Sequence, residues 1–119
     1  MTRRWPCVVV SMLLYLLVAP SVSLAATSGN EWKGLSEPTR LAYVGGVLDG
    51  WQAMHAALPA GNDGAYVERF GRLPACAVRK GMTRQQTLAI VDKYMTDHPG
   101  EWHVPMPFLI WSAMNAVCE

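Results

Sequence analysis

The chain has 119 residues, of which 51% are hydrophobic and 16% charged, and its formal net charge is +1. This length suits one domain. The near-neutral charge argues against a nucleic-acid-binding protein, since such proteins usually carry a marked basic excess.

Residues 1–25 have the pattern of a secretory signal peptide. Arg3 and Arg4 precede the apolar run 8–19, and small residues offer a cleavage site after Ala25. Cleavage after Ala26 and an uncleaved membrane anchor are the alternatives, but a helix of this length spans only about 18 Å of a bilayer core of roughly 30 Å. We therefore expect an exported domain over 26–119, without a stable membrane span after cleavage.

The first helix of that domain is predicted over 36–58, because apolar residues recur at steps of three and four after the N-cap Ser36. Gly46 and Gly50 lie one turn apart within it. We favour close approach of another helix at these glycines over a weak or bent helix. A short helix over 63–71 is expected next, followed by a loop that contains Cys76.

Two further helices complete the prediction. The capping-box sequence Thr83-Arg-Gln-Gln86 begins one of them, which ends before His98-Pro99 because a residue that precedes proline avoids helical torsions. An extended linker over 101–107 then leads to a last helix over 108–117. The predicted fold class is all-α, with three main helices and one short helix.

Cleavage of the leader would remove Cys7, which leaves two cysteines, Cys76 and Cys118. An even pair in a small exported protein is most simply a disulfide. Closing a loop of about 43 residues would stabilise the fold by roughly 4 kcal/mol. A reactive or metal-bound thiol is the alternative. With the bridge, the fold is a small disulfide-stapled helical bundle.

The tryptophans divide into two pairs. Trp51 and Trp111 lie on apolar stripes, so we expect them in the core. Trp32 and Trp102 lie in irregular segments, where an aromatic side chain is either a lid over the core or an interface anchor.

No catalytic residue, cofactor or metal site is predicted. The serines have no nucleophile-elbow sequence around them, and Cys76 is better used in a disulfide. His98 and His103, with Asp97 and Glu101 beside them, have the side chains that bind zinc. Their spacing, however, matches no common metal motif.

A basic stretch over 69–84, which Glu68 directly precedes, is the main candidate for recognition. A solvated loop face is the plain interpretation. The functional hypothesis is a basic surface that attracts an acidic protein partner. The candidate partner-binding residues are Arg69, Arg72, Arg79, Lys80, Arg84 and Trp102.

Several motifs carry a resemblance to a known family. They are Trp32, the segment Arg40-Leu-Ala-Tyr-Val-Gly-Gly-Val-Leu-Asp-Gly50, Cys76, Met82-Thr83 with Gln86, the segment 90–99 that ends in His-Pro, and the segment 112–118. In this order they resemble the Rap/Tai family, the resistance-associated immunity proteins for type VI secretion amidase effectors. The resemblance covers most of the chain after the leader.

The resemblance implies a periplasmic, helical, disulfide-containing protein that is not an enzyme. Members with an assigned role bind a peptidoglycan-cleaving amidase and block its cleft, often as dimers. It also implies the disulfide Cys76–Cys118, but it transfers no inhibitory residue. The chain departs from the family in its long 59–75 segment and its single cysteine pair. The alternative function is a small exported structural or stress-related protein of the same fold with another partner.

Overall fold

The computed structural model describes residues 27–58 and 65–119, so the predicted leader 1–25 lies outside it. The described elements are α1 (Gly29–Trp32), α2 (Glu37–Ala57), α3 (Ala65–Arg79), α4 (Arg84–Asp97), a 3₁₀ turn (Pro99–Glu101) and α5 (Met106–Cys118). Strand-type pairing within these ranges is limited to one isolated bridge between Ser28 and Pro105. The predicted all-α class is confirmed, with four long helices and one short one.

Helix α2 forms where the apolar repeat predicts it. The backbone N–H of Thr39 donates to Ser36 Oγ at 3.4 Å, which confirms the N-cap. Trp51 is buried on the core side, but Met54 and Leu58, which continue the same predicted stripe, are 44% and 37% exposed. The last turn and a half of α2 therefore extends beyond the core.

The expectation that Gly46 and Gly50 mediate helix packing is wrong. A Cβ atom added at either glycine would meet nothing within 4 Å. Gly45 is the buried position, where a Cβ would collide with the guanidinium of Arg84, the first residue of α4. One residue is about 100° around a helix, so the buried glycine falls beside the predicted pair. The exposed Arg84 side chain could turn away from a Cβ atom there, so this contact does not require glycine.

Helix α3 corrects the prediction of a short helix over 63–71 followed by a loop containing Cys76. The helix continues through Gly71 and Pro74 to Arg79, so Cys76 lies within it. An internal proline costs about 3 kcal/mol and a glycine about 1 kcal/mol. Leu73 and Cys76 are almost completely buried, and burial of one leucine-sized side chain contributes about 1.5–3 kcal/mol. Packing and the disulfide together outweigh these local penalties.

The end of α3 is set by Gly81. This residue has φ 61°, the Met82 N–H donates to the Ala77 carbonyl at 2.9 Å, and the Gly81 N–H donates to the Val78 carbonyl at 3.0 Å. These two bonds form a Schellman motif, which satisfies the last carbonyls of the helix and needs a left-handed residue. Gly81, and not Gly71, is therefore the stop signal of this helix.

Helix α4 begins with the predicted capping box. The Gln86 N–H donates to Thr83 Oγ1 at 3.2 Å, and the Thr83 N–H donates to Gln86 Oε1 at 2.8 Å. The helix ends at Asp97, before His98 and Pro99, as predicted.

The predicted extended linker over 101–107 is only partly correct. Pro99–Glu101 forms a 3₁₀ turn, and α5 begins at Met106, two residues before the predicted start at Phe108, because Pro107 fits the first helical turn. Five side chains of α5 are almost completely buried, and they form the centre of the core: Met106, Leu109, Ile110, Ala113 and Met114.

The predicted disulfide joins Cys76 and Cys118 with 6.0 Å between their Cα atoms. It connects two helices, α3 and α5, and not a loop and a helix as expected. Trp51 and Trp111 pack edge-to-face with their ring centroids 5.4 Å apart, which places both against the core as predicted. Trp32 is only 1% exposed and belongs to the core, so it is neither a lid nor an interface anchor.

Among the described helices, none combines the length and the apolar character that crossing a membrane requires.

Candidate functional site

A polar network of Trp32, Arg40 and Asp92 joins the helices α1, α2 and α4. Asp92 of α4 accepts hydrogen bonds from Trp32 Nε1 at 2.9 Å and from Arg40 Nη1 at 2.7 and 2.8 Å. Both bonds from Arg40 use the same nitrogen, and its Nε is buried without a hydrogen-bond partner in the described residues. The Arg40 and Asp92 side chains are 24% and 34% exposed, so water reaches one side of this ion pair.

Trp102 lies beside this network and is fixed from two directions. Its Nε1 donates to the Met95 carbonyl near the end of α4 at 2.7 Å. Its own carbonyl accepts the Asn30 N–H at 2.9 Å, which attaches the start of α1. The Lys33 ammonium lies 3.5 Å from the centre of its ring, within range of a cation–π interaction. The half-buried ring is therefore held in place and covered by a charged side chain.

Gly29 makes this close approach of backbones feasible. A Cβ atom there would lie 2.9 Å from both the Cα and the carbonyl oxygen of Trp102, closer than ordinary packing allows. Met95 Cε, at 2.7 Å, could turn aside as the end of a flexible side chain, but the two Trp102 atoms belong to the backbone and cannot. Glycine at this position lets the short helix α1 lie directly on the 102–104 segment.

Together these side chains surround a surface cavity of about 450 Å³, which we call the Trp102 cavity. Two of its charged residues, Lys33 and Arg40, are positive and one, Asp92, is negative, so the lining has a net positive charge. Cavities of this size accommodate small ligands. The residues of the lining used below are Lys33, Arg40, Asp92, Met95, Pro99 and Trp102.

The side chains considered for zinc have separate partners. Asp97 accepts from Lys93 Nζ at 2.7 Å, and Glu101 accepts from the Tyr94 hydroxyl at 3.0 Å. The His98 ring stacks on Tyr94 with 4.0 Å between centroids, while His103 is exposed. Within the described ranges no three His, Cys, Asp or Glu side chains come together as a metal site would require.

Tyr94, which donates to Glu101, has a hydroxyl with a shifted pKa. Burial raises the pKa of its hydroxyl above the usual value, and the Glu101 carboxylate adds to the increase, although a hydrogen bond with Ser112 lowers it in part. The hydroxyl is therefore a neutral donor at physiological pH, with a structural role between α4, the 3₁₀ turn and α5.

Two of the predicted basic residues have side-chain partners on neighbouring helices. Arg72 donates to Asn115 Oδ1 at 2.6 Å and lies 3.8 Å from Glu119, at the end of α5. Arg84 pairs with Asp49 of α2 at 3.0 Å. Arg69 lies on α3, but its side chain is not among the described ones.

The remaining two candidates, Arg79 and Lys80, are exposed at the end of α3. Val78 precedes them and is 74% exposed, the highest value among the exposed large hydrophobic side chains of the described residues. We call Val78, Arg79 and Lys80 the α3 tip. Trp102, the sixth predicted candidate, lies in the Trp102 cavity and not at the α3 tip.

Sequence reasoning missed Lys33, Arg40 and Asp92 as a site. Arg40 and Asp92 both lie in segments that carry the family resemblance, but they are separated by 52 residues. Nothing in helical periodicity links two residues on different helices.

No family model, curated protein or solved structure matches this chain.

Proposed function

We propose that this chain is a periplasmic immunity protein that binds and blocks a peptidoglycan-degrading type VI secretion amidase effector. The resemblance to the Rap/Tai family is the source of the proposal. Its support from the fold is that the shared residues have structural roles which a rigid inhibitor needs. Cys76 and Cys118 are bridged, Val44 is in the core, and Thr83 and Gln86 cap α4.

The α3 tip is the observation that carries the proposal. It presents an exposed apolar side chain followed by two exposed cations, Arg79 and Lys80. The disulfide at Cys76 lies one half-turn before Val78, and the Schellman motif at Gly81 follows directly. A projecting element that is fixed on both sides loses little conformational freedom on binding, which favours affinity. Its chemistry fits a cleft with an apolar floor and acidic walls.

The first test is affinity capture from periplasmic extract, with the disulfide-bonded protein as bait and mass spectrometry as readout. We expect recovery of a peptidoglycan amidase and, with the purified pair, inhibition of peptidoglycan cleavage. Recovery of no amidase from cells that express such an effector would contradict the proposal. It would favour the alternative, a structural or stress-related exported protein of this fold.

A charge reversal then tests the surface. Lys80→Glu should slow association with the amidase and reverse its salt dependence, because charges at the rim of an interface act mainly on the association rate. Lys93→Glu is the matched control, since Lys93 is an exposed lysine on α4. Equal association rates for the two variants would show that the α3 tip is not the docking surface.

The homodimer that the resemblance implies stays a prediction, and the molar mass of the purified protein in solution tests it.

A further inference from the structure

The Trp102 cavity is distinct from the α3 tip, and its chemistry indicates a second kind of binding. Lys33, Arg40 and Asp92 all contribute to its lining. An isolated cation would be repelled by the excess positive charge, and Asp92 already accepts three hydrogen bonds. An anionic group is therefore the ligand chemistry that the electrostatics favour.

The two cations still have donors to offer. Arg40 uses Nη1 on Asp92, and its Nε is buried, so Nη2 is the guanidinium nitrogen that is left for a ligand. The Lys33 ammonium rests on the Trp102 ring and makes no ion pair with a carboxylate of the described residues. An ammonium over an aromatic face is attracted to the ring without being neutralised by a counter-charge. An anion that reaches the cavity would meet both side chains.

The apolar residues of the lining favour a ligand with a flat or apolar body. The Trp102 ring is fixed by its hydrogen bond to the Met95 carbonyl, and Pro99 and Met95 add apolar surface beside it. A flat or apolar body would pack on these walls while its charged end faces the cations. A carboxylate has two acceptor oxygens, so one can accept from Arg40 Nη2 while the other accepts from the Lys33 ammonium, and both hydrogen bonds are charge-assisted.

We propose that the Trp102 cavity binds a small carboxylate, with the carboxylate group between Lys33 and Arg40 and its flat or apolar body against Pro99 and Met95, beside the Trp102 ring. The carboxylate belongs either to a free organic acid or to the C-terminus of a short peptide. This site does not depend on the immunity function, because neither its residues nor its ligand involve the α3 tip.

The test is an NMR titration of the disulfide-bonded protein, expressed from the full chain and labelled with ¹⁵N. Phenylacetate is the probe and phenylacetamide its neutral counterpart. With phenylacetate we expect saturable shifts of the Trp102 indole N–H and the Lys33 amide, with a Kd of roughly 1 mM or tighter. Shifts of equal size with phenylacetamide, or shifts that grow linearly without saturation, would overturn the proposal.

Two lysine variants separate a specific site from general attraction. Lys33→Met keeps the length of the side chain and should weaken phenylacetate binding about tenfold, the loss expected from one charge-assisted hydrogen bond. Lys93→Met removes an exposed lysine of α4 outside the lining and should leave the affinity unchanged. Equal affinities in Lys33→Met and the parent protein, with both folded by the same spectra, would refute the assigned site.

A peptide pair identifies the source of the carboxylate. Acetyl-Ala-Ala-Phe with a free C-terminus is compared with its C-terminal amide. Tighter binding of the free peptide than of phenylacetate would identify a chain terminus as the ligand, whereas tighter binding of phenylacetate would identify a free acid. Binding of the amide as tightly as the free peptide would contradict a carboxylate site.

Discussion

The two sides of this bundle are held together by different forces. On one side, which we call the bridged side, α3 and α5 are joined by the disulfide Cys76–Cys118 and by apolar packing around Leu73. On the other, the cavity side, α1 and α2 are joined to α4 by hydrogen bonds and charge, at Trp32, Arg40 and Asp92. A domain with a thin core can therefore be made stable by a covalent bond where it is apolar and by a polar network where it is open to water.

The largest expected loss of stability comes from removing the disulfide of the bridged side. Cys76→Ser with Cys118→Ser should lower the free energy of unfolding by about 4 kcal/mol, because the loop between them is no longer closed in the unfolded chain. For a domain of this size that corresponds to a fall in Tm of roughly 15–30 °C. Circular dichroism melting measures it.

Reductant provides the control for this prediction. The parent protein should lose the same stability in excess dithiothreitol, and the double variant should not respond to it. A double variant that melts with the parent protein would show that the bridge contributes nothing to this side.

The next largest effect concerns the close backbone contact between Gly29 and Trp102 on the cavity side. Gly29→Ala should cost about 2 kcal/mol, since overpacking of a rigid contact costs about 1–3 kcal/mol and the nearest obstructing atoms include the backbone of Trp102. Gly46→Ala is the matched control, because it lies in open space inside α2. That variant should gain up to about 1 kcal/mol from helix propensity. Urea unfolding measures both, and equal effects would refute the backbone contact.

The smallest effect tests the polar network itself. Asp92→Ala should cost about 1–2 kcal/mol, because it leaves the Trp32 indole and the Arg40 guanidinium without their acceptor while water still reaches part of the pair. Adding Arg40→Met should recover part of the loss, as a double-mutant cycle on a coupled pair would show.

Asp97→Ala serves as its control. Asp97 pairs with Lys93 on the exposed face of the same helix, and an exposed pair of this kind contributes about 0.5 kcal/mol or less. A loss in Asp92→Ala no larger than in Asp97→Ala would show that the cavity side does not rely on its ion pair.

The sequence was sufficient for elements that carry local signals. Ser36 and Thr83 identify the starts of α2 and α4 because capping involves residues only three positions apart. It failed for α3, where Gly71 and Pro74 indicate a break that burial against α5 overrides. The information that decided this case lies in a contact between distant residues, which no local pattern contains.

The candidate site likewise has residues that the sequence indicates and pairings that it does not. Trp102 could be selected from its irregular segment, and the clustering of cations pointed to Arg79 and Lys80. The pairing of Arg40 with Asp92, and the partners that Arg72 and Arg84 find on neighbouring helices, depend on how the helices are arranged. Side-chain charge was visible in the sequence, but the partners of those charges were not.

The tryptophans provide separate optical signals for the contact between the two sides and for the cavity side. Trp51 of α2 and Trp111 of α5 meet edge-to-face at 5.4 Å, with Phe70 beside them, so the coupling of their transitions in the near-ultraviolet dichroism reports the contact between the two sides. Trp102, half-buried beneath an ammonium group, belongs to the cavity side, and its emission is open to quenching by iodide or acrylamide. Dichroism and quenched fluorescence recorded on one sample can therefore report whether the contact between the sides and the cavity side loosen together or in sequence, without any added label.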